Sequence, residues 1–301
     1  MAAGERSVID ATRFAKPRVD SWWVVTFRAY RKDRFAVIAA VVLLVIIVLV
    51  AAAPIVSPFD PYEADPSIRI MGPGTQGHWL GLDGQGRDML SRVIWGGRVS
   101  LPLAVAPVMI AMALSMSMAL VSGYYGGIIG NVLMRVIDVL FAFPTVVLAI
   151  VIAAFLGNGY VSVLVAVTIV LLAPMTRVAY IAVREQTGQD FVDAARAVGA
   201  TPLRIMFVHL APNSFPSVLV YSSTLVGLMV VFVAGLSFLG LGLQPPTADW
   251  GLMVSEGRQV LGVAPHVATV PGIAIGIAAL CFNLIGDGLR YALDPRVRNI
   301  A

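Results

Sequence analysis

Apolar residues do not alternate with polar ones along this chain; they come in blocks. Runs at about 35–56, 99–122, 131–156, 160–182, 214–240 and 268–289 are almost wholly apolar. Each is close to or above the roughly 20 residues that a helix needs to cross a bilayer, so the pattern predicts six membrane-spanning helices. Pro102, Pro107, Pro144 and Pro174 fall inside these runs, where neighbouring helices re-satisfy the carbonyls that proline leaves free. Small residues recur in the same runs, as close helix packing requires.

The polar segments between the runs set the expected organisation. Residues 1–34 read as a cytoplasmic N-terminal segment, 35–56 as the first span, 57–97 as an extracytoplasmic loop, 98–290 as a five-helix core containing the loop 185–213, and 291–301 as a cytoplasmic tail. The first run has no small-residue cleavage site close behind a short apolar core, so it reads as an uncleaved anchor. With the N-terminus inside, sixteen of the 21 Lys and Arg residues fall on the cytoplasmic side and five on the other. The positive-inside rule therefore predicts that both termini are cytoplasmic.

One polar segment is built differently from a simple connector. In DFVDAARAVG, Asp190 reads as a helix N-cap and Asp193 as its capping-box partner. Phe191, Ala194, Ala195 and Val198 fall at i, i+3, i+4 and i+7, which is one helix face. Gly199 is a C-cap signal. Thr201-Pro202 restarts a helix, with Thr201 as its N-cap and Pro202 in the first turn. Leu203, Met206, Phe207 and Leu210 share a face, and Pro212 and Pro216 are expected to stop this helix before the next span. The pattern predicts a short helix, a glycine turn and a second short helix. The Ala-rich face of the first suits a groove on another protein better than a lipid surface, which calls for Trp, Phe or Leu opposite Lys or Arg. An ordinary connector between two spans is the other reading.

Composition agrees with a bilayer setting: 58% of the 301 residues are hydrophobic and only 13% charged, against roughly 25% charged in soluble domains. A net charge of +4, distributed by topology, does not point to nucleic acid. Cys281 lies in an apolar run and has no second cysteine to pair with. His78, His209 and His266 are far apart and lack metal-ligand spacing. No phosphate-cradling G-x-x-x-x-G-K-[ST] loop occurs, nor a G-x-S-x-G or H-E-x-x-H motif. No acidic residue sits clearly at the middle of a predicted span, where an ion-coupled carrier would often hold one. If the chain transports, its energy comes from another molecule.

Asp193-Ala194-Ala195, then Gly199, then Pro212 resembles the "EAA…G…LP" loop of permease subunits of binding-protein-dependent ABC importers. Asp193 stands where that pattern has Glu, and Ala211 where it has Leu. HWLGLDGQGRDMLSRVIWGGRVSL (78–101), MRVIDVLFAFPTVVLAI (134–150), SFLGLGLQPPTADWG (237–251) and FNLIGDGLRYALDPR (282–296) resemble the blocks of the dipeptide/oligopeptide/nickel subgroup, second-permease type; Tyr291 departs from an Asp. The resemblance implies an all-α integral membrane protein with six transmembrane helices, of the type I ABC importer transmembrane-domain (MetI-like) fold with cytoplasmic coupling helices. It implies a non-catalytic subunit in a bacterial cell membrane that takes up peptides or related small solutes. The implied partners are a second permease, two ATP-binding subunits that hold ATP and Mg2+, and an extracytoplasmic binding protein; the chain itself holds no cofactor. Asp190, Asp193, Ala194, Ala195, Arg196, Gly199, Ala200 and Pro212 would couple it to the ATPases.

Other residues carry paired readings. Asp83, Arg87 and Asp88 read either as a capped turn leading to a surface helix, or as an outer gate or contact with the docked binding protein. Pro245-Pro246 and Trp250 read as a rigid turn with an interfacial aromatic, or as part of that contact. Arg135 with Asp138, and Asp287 with Arg290, read as local ion pairs at helical spacing. A secondary carrier or channel working without ATPases is the alternative to the importer reading. A membrane-embedded enzyme is a third, for which no polar constellation is visible.

Overall fold

The computed structural model describes residues 22–293. The basic residues Arg6, Arg13, Lys16, Arg18, Arg296 and Arg298, with most of the expected cytoplasmic tail, lie outside the described residues. The described chain is helical: α1 (Trp22–Tyr30), α2 (Arg34–Ala51), α3 (Ala53–Val56), α4 (Met89–Tyr125), α5 (Gly127–Phe141), α6 (Thr145–Leu156), α7 (Tyr160–Thr187), α8 (Asp190–Ala197), α9 (Pro202–Arg204), α10 (Ala211–Phe238), α11 (Trp250–Arg258) and α12 (His266–Leu293). Two isolated bridges, Thr75 with His78 and Leu82 with Asp88, are the only extended pairing among the described residues.

Five stretches are long and apolar enough to cross a membrane: α2, α4, α7, the run from Pro202 to Phe238, and α12. The pair α5–α6 makes a sixth if it is one span, bent by 91°. The expected third span is thus broken. Pro144 is the N-cap of the second half, and the residue before a proline is driven out of the helical region, so Phe143 lies in the break and the first half ends at Phe141.

Two boundaries differ from the sequence pattern. The outer loop was expected to reach residue 97 and to lead into a separate surface helix, but α4 begins at Met89 and runs unbroken for 37 residues. Its cap decides this: the Asp88 carboxylate accepts the Ser91 N–H at 2.7 Å and starts the helix ten residues before the apolar run. Pro212 and Pro216 do not stop the second short helix of the loop. The backbone is a π-helix over Ile205–Leu210, with the Ala211 N–H bonded to the Met206 carbonyl. Pro212 therefore falls in the first turn of the α-helical stretch that follows, where a missing N–H is tolerated.

The core lies between α4, α7 and α10, around Leu103, Val108, Ala111, Val167, Leu171, Met175, Met229 and Val233. Small residues set the close approaches. A side chain on Gly123 would meet Val183 Cγ1 at 2.7 Å, so α4 and α7 touch there backbone to side chain. The α2 helix packs through Ala39 and Leu43 against Cys281 and its neighbours on α12, and through Ala36 against Gly288 of the same helix. Its remaining face, Phe35, Ile38, Val41, Leu44, Val45 and Val48, is exposed and wholly apolar, the surface expected of a helix bathed in hydrocarbon.

Candidate functional site

The loop between α7 and α10 is a two-helix element. Gly199 has φ +81°, a backbone region that costs a residue with a side chain roughly 1–2 kcal/mol. Its N–H bonds the Arg196 carbonyl at 2.9 Å, and the Ala200 N–H bonds the Ala195 carbonyl at 3.0 Å, which is a Schellman closure. Thr201 caps the next helix by accepting the Arg204 N–H at 3.4 Å. Asp190 is not the N-cap: Gln189 holds that position without a side-chain bond, and Asp190 and Asp193 lie in the first turn. There their charges face the positive end of the helix dipole. Asp193 pairs instead with Arg196 at 3.0 Å, and the Arg196 guanidinium lies 5.4 Å from the centre of the Tyr124 ring at the end of α4.

The apolar face predicted for α8 is divided. Val192 and Ala195 are buried in the helical core together with Ile205, Met206 and Leu210. Phe191, Ala194 and Val198 point away from it, and Val198 is 85% exposed; Leu203, Phe207 and Val208 are exposed beside them. The sequence reading grouped Ala195 with the outward residues and missed Val192. An eight-residue helix anchored on one side by Val192 and Ala195 turns that set of positions outward. The loop is therefore fixed to the bundle by one face while a second, apolar face is exposed among the described residues.

At the other end of α4, charges turn inward. Asp83 accepts the backbone N–H groups of Gln85 and Arg87 at 2.8 and 3.0 Å. Its other oxygen accepts Arg87 Nε at 2.7 Å and also Arg92. Arg87 and Arg92 both reach Glu256 on α11, at 3.0 and 2.8 Å. Gly86, at φ +80°, makes the turn possible, because any side chain there would collide with the Asp65 carbonyl. Burial works to raise the Asp83 pKa, but the Arg92 charge, the Arg87 N–H and charge, and the Gln85 N–H outweigh it and hold the carboxyl below its ordinary value. Asp88 accepts the cap bond with one oxygen and contacts His78 Nδ1 at 2.9 Å with the other. Asp83, Arg87 and Asp88 are almost fully buried, so they offer no side chain to a docked protein, which speaks against the contact half of the second sequence reading and leaves its outer-gate half.

Trp250 is likewise not an interfacial aromatic. It is 2% exposed, lies against Gly96 and Gly97, and donates its indole N–H to the Val93 carbonyl at 2.8 Å. Asp249 caps α11 through the Leu252 N–H and accepts Ser100 Oγ at 2.7 Å. Pro245 and Pro246 remain exposed at the tip of the preceding turn, joined by a cis peptide.

The residues that match a known family fall on this framework. Residues 111–299 match the family described as binding-protein-dependent transport system inner membrane component, and residues 21–73 match the N-terminal TM domain of oligopeptide transport permease C. This chain belongs to that permease family. The permease is 37% identical over 281 residues to the glutathione transport system permease protein GsiD of Pectobacterium atrosepticum, covering 92% of each chain. It is 38% identical over 299 residues to the proteins of that name from Shigella boydii serotype 4 and Escherichia coli O157:H7, covering 97% of each. Among solved structures it resembles the inward-facing MetNI methionine ABC transporter, with a TM-score of 0.54 at 19% identity over 68% of this chain and 98% of that one. That likeness establishes the MetI-like fold.

Within the permease, Asp190, Asp193, Ala194, Ala195, Arg196, Gly199, Ala200 and Pro212 are brought together at one end of the bundle. At the other, Arg87 meets Glu256 of α11, Asp83 bridges Arg87 and Arg92, and Asp88 caps α4. Arg92 and Glu256 complete that cluster and were not singled out from sequence; 164 positions separate them, beyond any local pattern. The expected Arg135–Asp138 pair is weak, at 3.9 Å between exposed side chains, because Asp138 instead meets Arg177 of α7 at 2.6 Å. Asp287 and Arg290 form no ion pair with each other among the described residues.

Proposed function

We propose that this permease is half of the translocation pore of an ATP-driven importer for peptides or related small solutes, with both of its termini cytoplasmic in a bacterial inner membrane. A second permease completes the pore, an extracytoplasmic binding protein delivers the solute, and two ATPase subunits supply ATP and Mg2+. The observation that carries the reading is the cytoplasmic loop. Its inner face, through Val192, Ala195, Ile205, Met206 and Leu210, is locked into the core. Its outer face, through Phe191, Ala194, Val198, Leu203 and Phe207, is exposed.

A rigid element of this kind transmits displacement, because the packed core beneath it does not deform freely. A groove on the ATPase that grips the outer face differently in its ATP-bound and free states would move α8 and, with it, the ends of α4 and α10. Chemically the chain contributes positions and surfaces; hydrolysis belongs to the ATPases. At the outer end, the Asp83–Arg87–Arg92–Glu256 cluster ties the loop before α4 to α11 and shapes the outer gate, while the exposed Pro245-Pro246 turn meets the binding protein. Kinship with permeases named for glutathione and oligopeptide transport supports the peptide-type solute.

The test is co-purification of the ATPases with the permease carrying Val198→Asp or Ala194→Arg. Both substitutions lie on the outward face, so expression and detergent stability are expected to hold, while ATPase recovery and ATP-dependent uptake fall together. Full recovery of ATPase and uptake with either variant would overturn the docking role.

A further inference from the structure

An ion pair sits within the bilayer thickness of this chain and is only half-buried. Arg177 lies three to four residues from the midpoint of α7, which at 1.5 Å per residue is about 5 Å along the axis. The hydrocarbon layer extends roughly 15 Å to either side of its centre. Asp138 reaches the same level from the other strand of the bundle. Gly130 of α5 lies against Ser122, and Val183 of α7 against Gly123, so the start of α5 lies level with the C-terminal end of α7. Eight residues along α5 and six along α7 are about 12 and 9 Å, after which Asp138 and Arg177 meet at 2.6 Å. Asp138 is thus near the middle of the broken span, where the sequence pattern had no acidic residue in clear view.

The side chains of Asp138 and Arg177 are 38% and 49% exposed on this chain. A charge at the bilayer centre facing lipid costs at least about 2.5–3.5 kcal/mol, and such residues turn to water or protein instead. They also form part of a stripe. Asn131, Arg135 and Asp138 fall at i, i+4 and i+7 on α5, one helix face, and the Arg135 side chain is 85% exposed. Phe141 lies beneath the Arg177 guanidinium at 4.8 Å, which keeps the cation turned toward the same side. The apolar outer face of α2 shows how this chain meets hydrocarbon; the α5 face is its opposite.

Resting on the pore reading above, we propose that Asn131, Arg135, Asp138 and Arg177 line the translocation path, and that the Asp138–Arg177 pair is a charged station for zwitterionic, peptide-type solutes. A free amino group takes the place of Arg177 beside Asp138, and a free carboxylate takes the place of Asp138 beside Arg177. The station thereby replaces the hydration that the two ends of the solute lose. Arg135 leaves one cation over, which favours the carboxylate end. Asp138 and Arg177 are positioning residues for the solute, with no covalent step.

The test uses the assembled importer in membrane vesicles, in a Cys281→Ala background. Phe141→Cys keeps both charges, and Arg177→Cys removes one. A membrane-impermeant sulfonated thiosulfonate is expected to label both at least about tenfold faster than Val45→Cys on the outer face of α2, a barrier difference of about 1.4 kcal/mol. Labelling of Phe141→Cys no faster than Val45→Cys places this face against lipid or a partner subunit and overturns the proposal. The second readout is the ratio of uptake of a free peptide to that of its C-terminal amide, which cancels general losses of folding or assembly. Arg177→Gln is expected to compress that ratio about tenfold, and the exchange Asp138→Arg with Arg177→Asp to restore part of it. An unchanged ratio overturns the station. Labelling needs no ATP, so its result stands apart from loss of ATPase docking, which would sink the importer reading alone.

Discussion

Two polar interruptions lie at opposite ends of α4 and treat surface in opposite ways. Before Met89, charges fold inward: Asp83, Arg87 and Arg92 are almost fully buried, with Glu256 beside them. Beyond Tyr125, at α8 and the helix after it, apolar side chains turn outward, with Val198, Leu203 and Phe207 well over half exposed. Buried charges persist only where opposite charges meet them; here two acids and two guanidinium groups do so within one chain, while Arg87 Nη1, Arg92 Nε and Nη2 and Glu256 Oε1 have no hydrogen-bond partner among the described residues. An apolar group of exposed side chains on a rigid base marks a contact surface. The outer interruption draws its counter-charges from this chain; the inner one, on the proposed function, is completed by the ATPase.

The strongest way to break this contrast is to unpair the outer cluster. Arg92→Ala leaves Asp83 and Glu256 facing each other with Arg87 alone between them. Removing one partner of a buried pair costs about 3–5 kcal/mol, so a large drop in the unfolding midpoint of the purified permease is expected. Replacing all four charges together by apolar residues of similar volume is expected to cost far less, because no charge is then stranded. If the single and the fourfold variants lose the same stability, the cluster is not a closed electrostatic unit.

Acid attacks the same cluster more gradually. Asp83 is held below its ordinary pKa of 3.8 by the guanidinium groups and backbone N–H donors around it. A carboxylate with a depressed folded pKa stabilises fully above its unfolded value, and that contribution fades as the pH falls through the folded value. The wild-type unfolding midpoint is therefore expected to decline below about pH 4, and the decline to be shallower in Asp83→Asn. Equal slopes in the two proteins would remove Asp83 from the account.

The sequence carried much of the inner region and little of the outer one. Gly199 and Thr201 act locally, through backbone geometry and a cap three residues away, so their roles could be read from spacing. The helical face of α8 was legible only as a set of apolar positions; which of them turn inward depends on the bundle behind Val192. At the outer end, the bonds from Arg87 and Arg92 to Glu256 span 169 and 164 positions. Trp250 gave a similar misreading: an aromatic beside a Pro-rich turn suits a membrane interface, but Gly96 and Gly97 on α4 open a slot that buries it. The same reason hid Asp138, whose depth depends on where the chain breaks at Pro144 and on Arg177 of another helix.

A smaller effect sharpens the inner half of the comparison. Gly199→Val places a branched side chain at φ +81°, where the strain is roughly 1–2 kcal/mol. The space around it is open, so the cost arises from backbone alone. A modest loss of stability is expected, together with a larger loss of ATPase recovery, because the angle between the two short helices changes. Recovery that follows stability in strict proportion would argue that the turn is merely a connector.

The smallest expected effect concerns Arg196, and it separates holding a shape from holding a partner. Its ion pair with Asp193 is solvent-exposed at 3.0 Å, and exposed pairs contribute about 0.2–1 kcal/mol. The contact with Tyr124 adds a comparable amount, about 0.5–1 kcal/mol at exposed sites. Arg196→Lys keeps the charge but loses the planar group that lies on the ring, so ATPase recovery is expected to fall slightly if Tyr124 fixes the helix. Arg196→Ala removes both contacts and is expected to lower recovery further, with the unfolding midpoint almost unmoved. If Lys and Ala behave alike, the ring contact rather than the charge pair orients α8; if neither changes recovery, the packing of Val192 and Ala195 is sufficient to orient it.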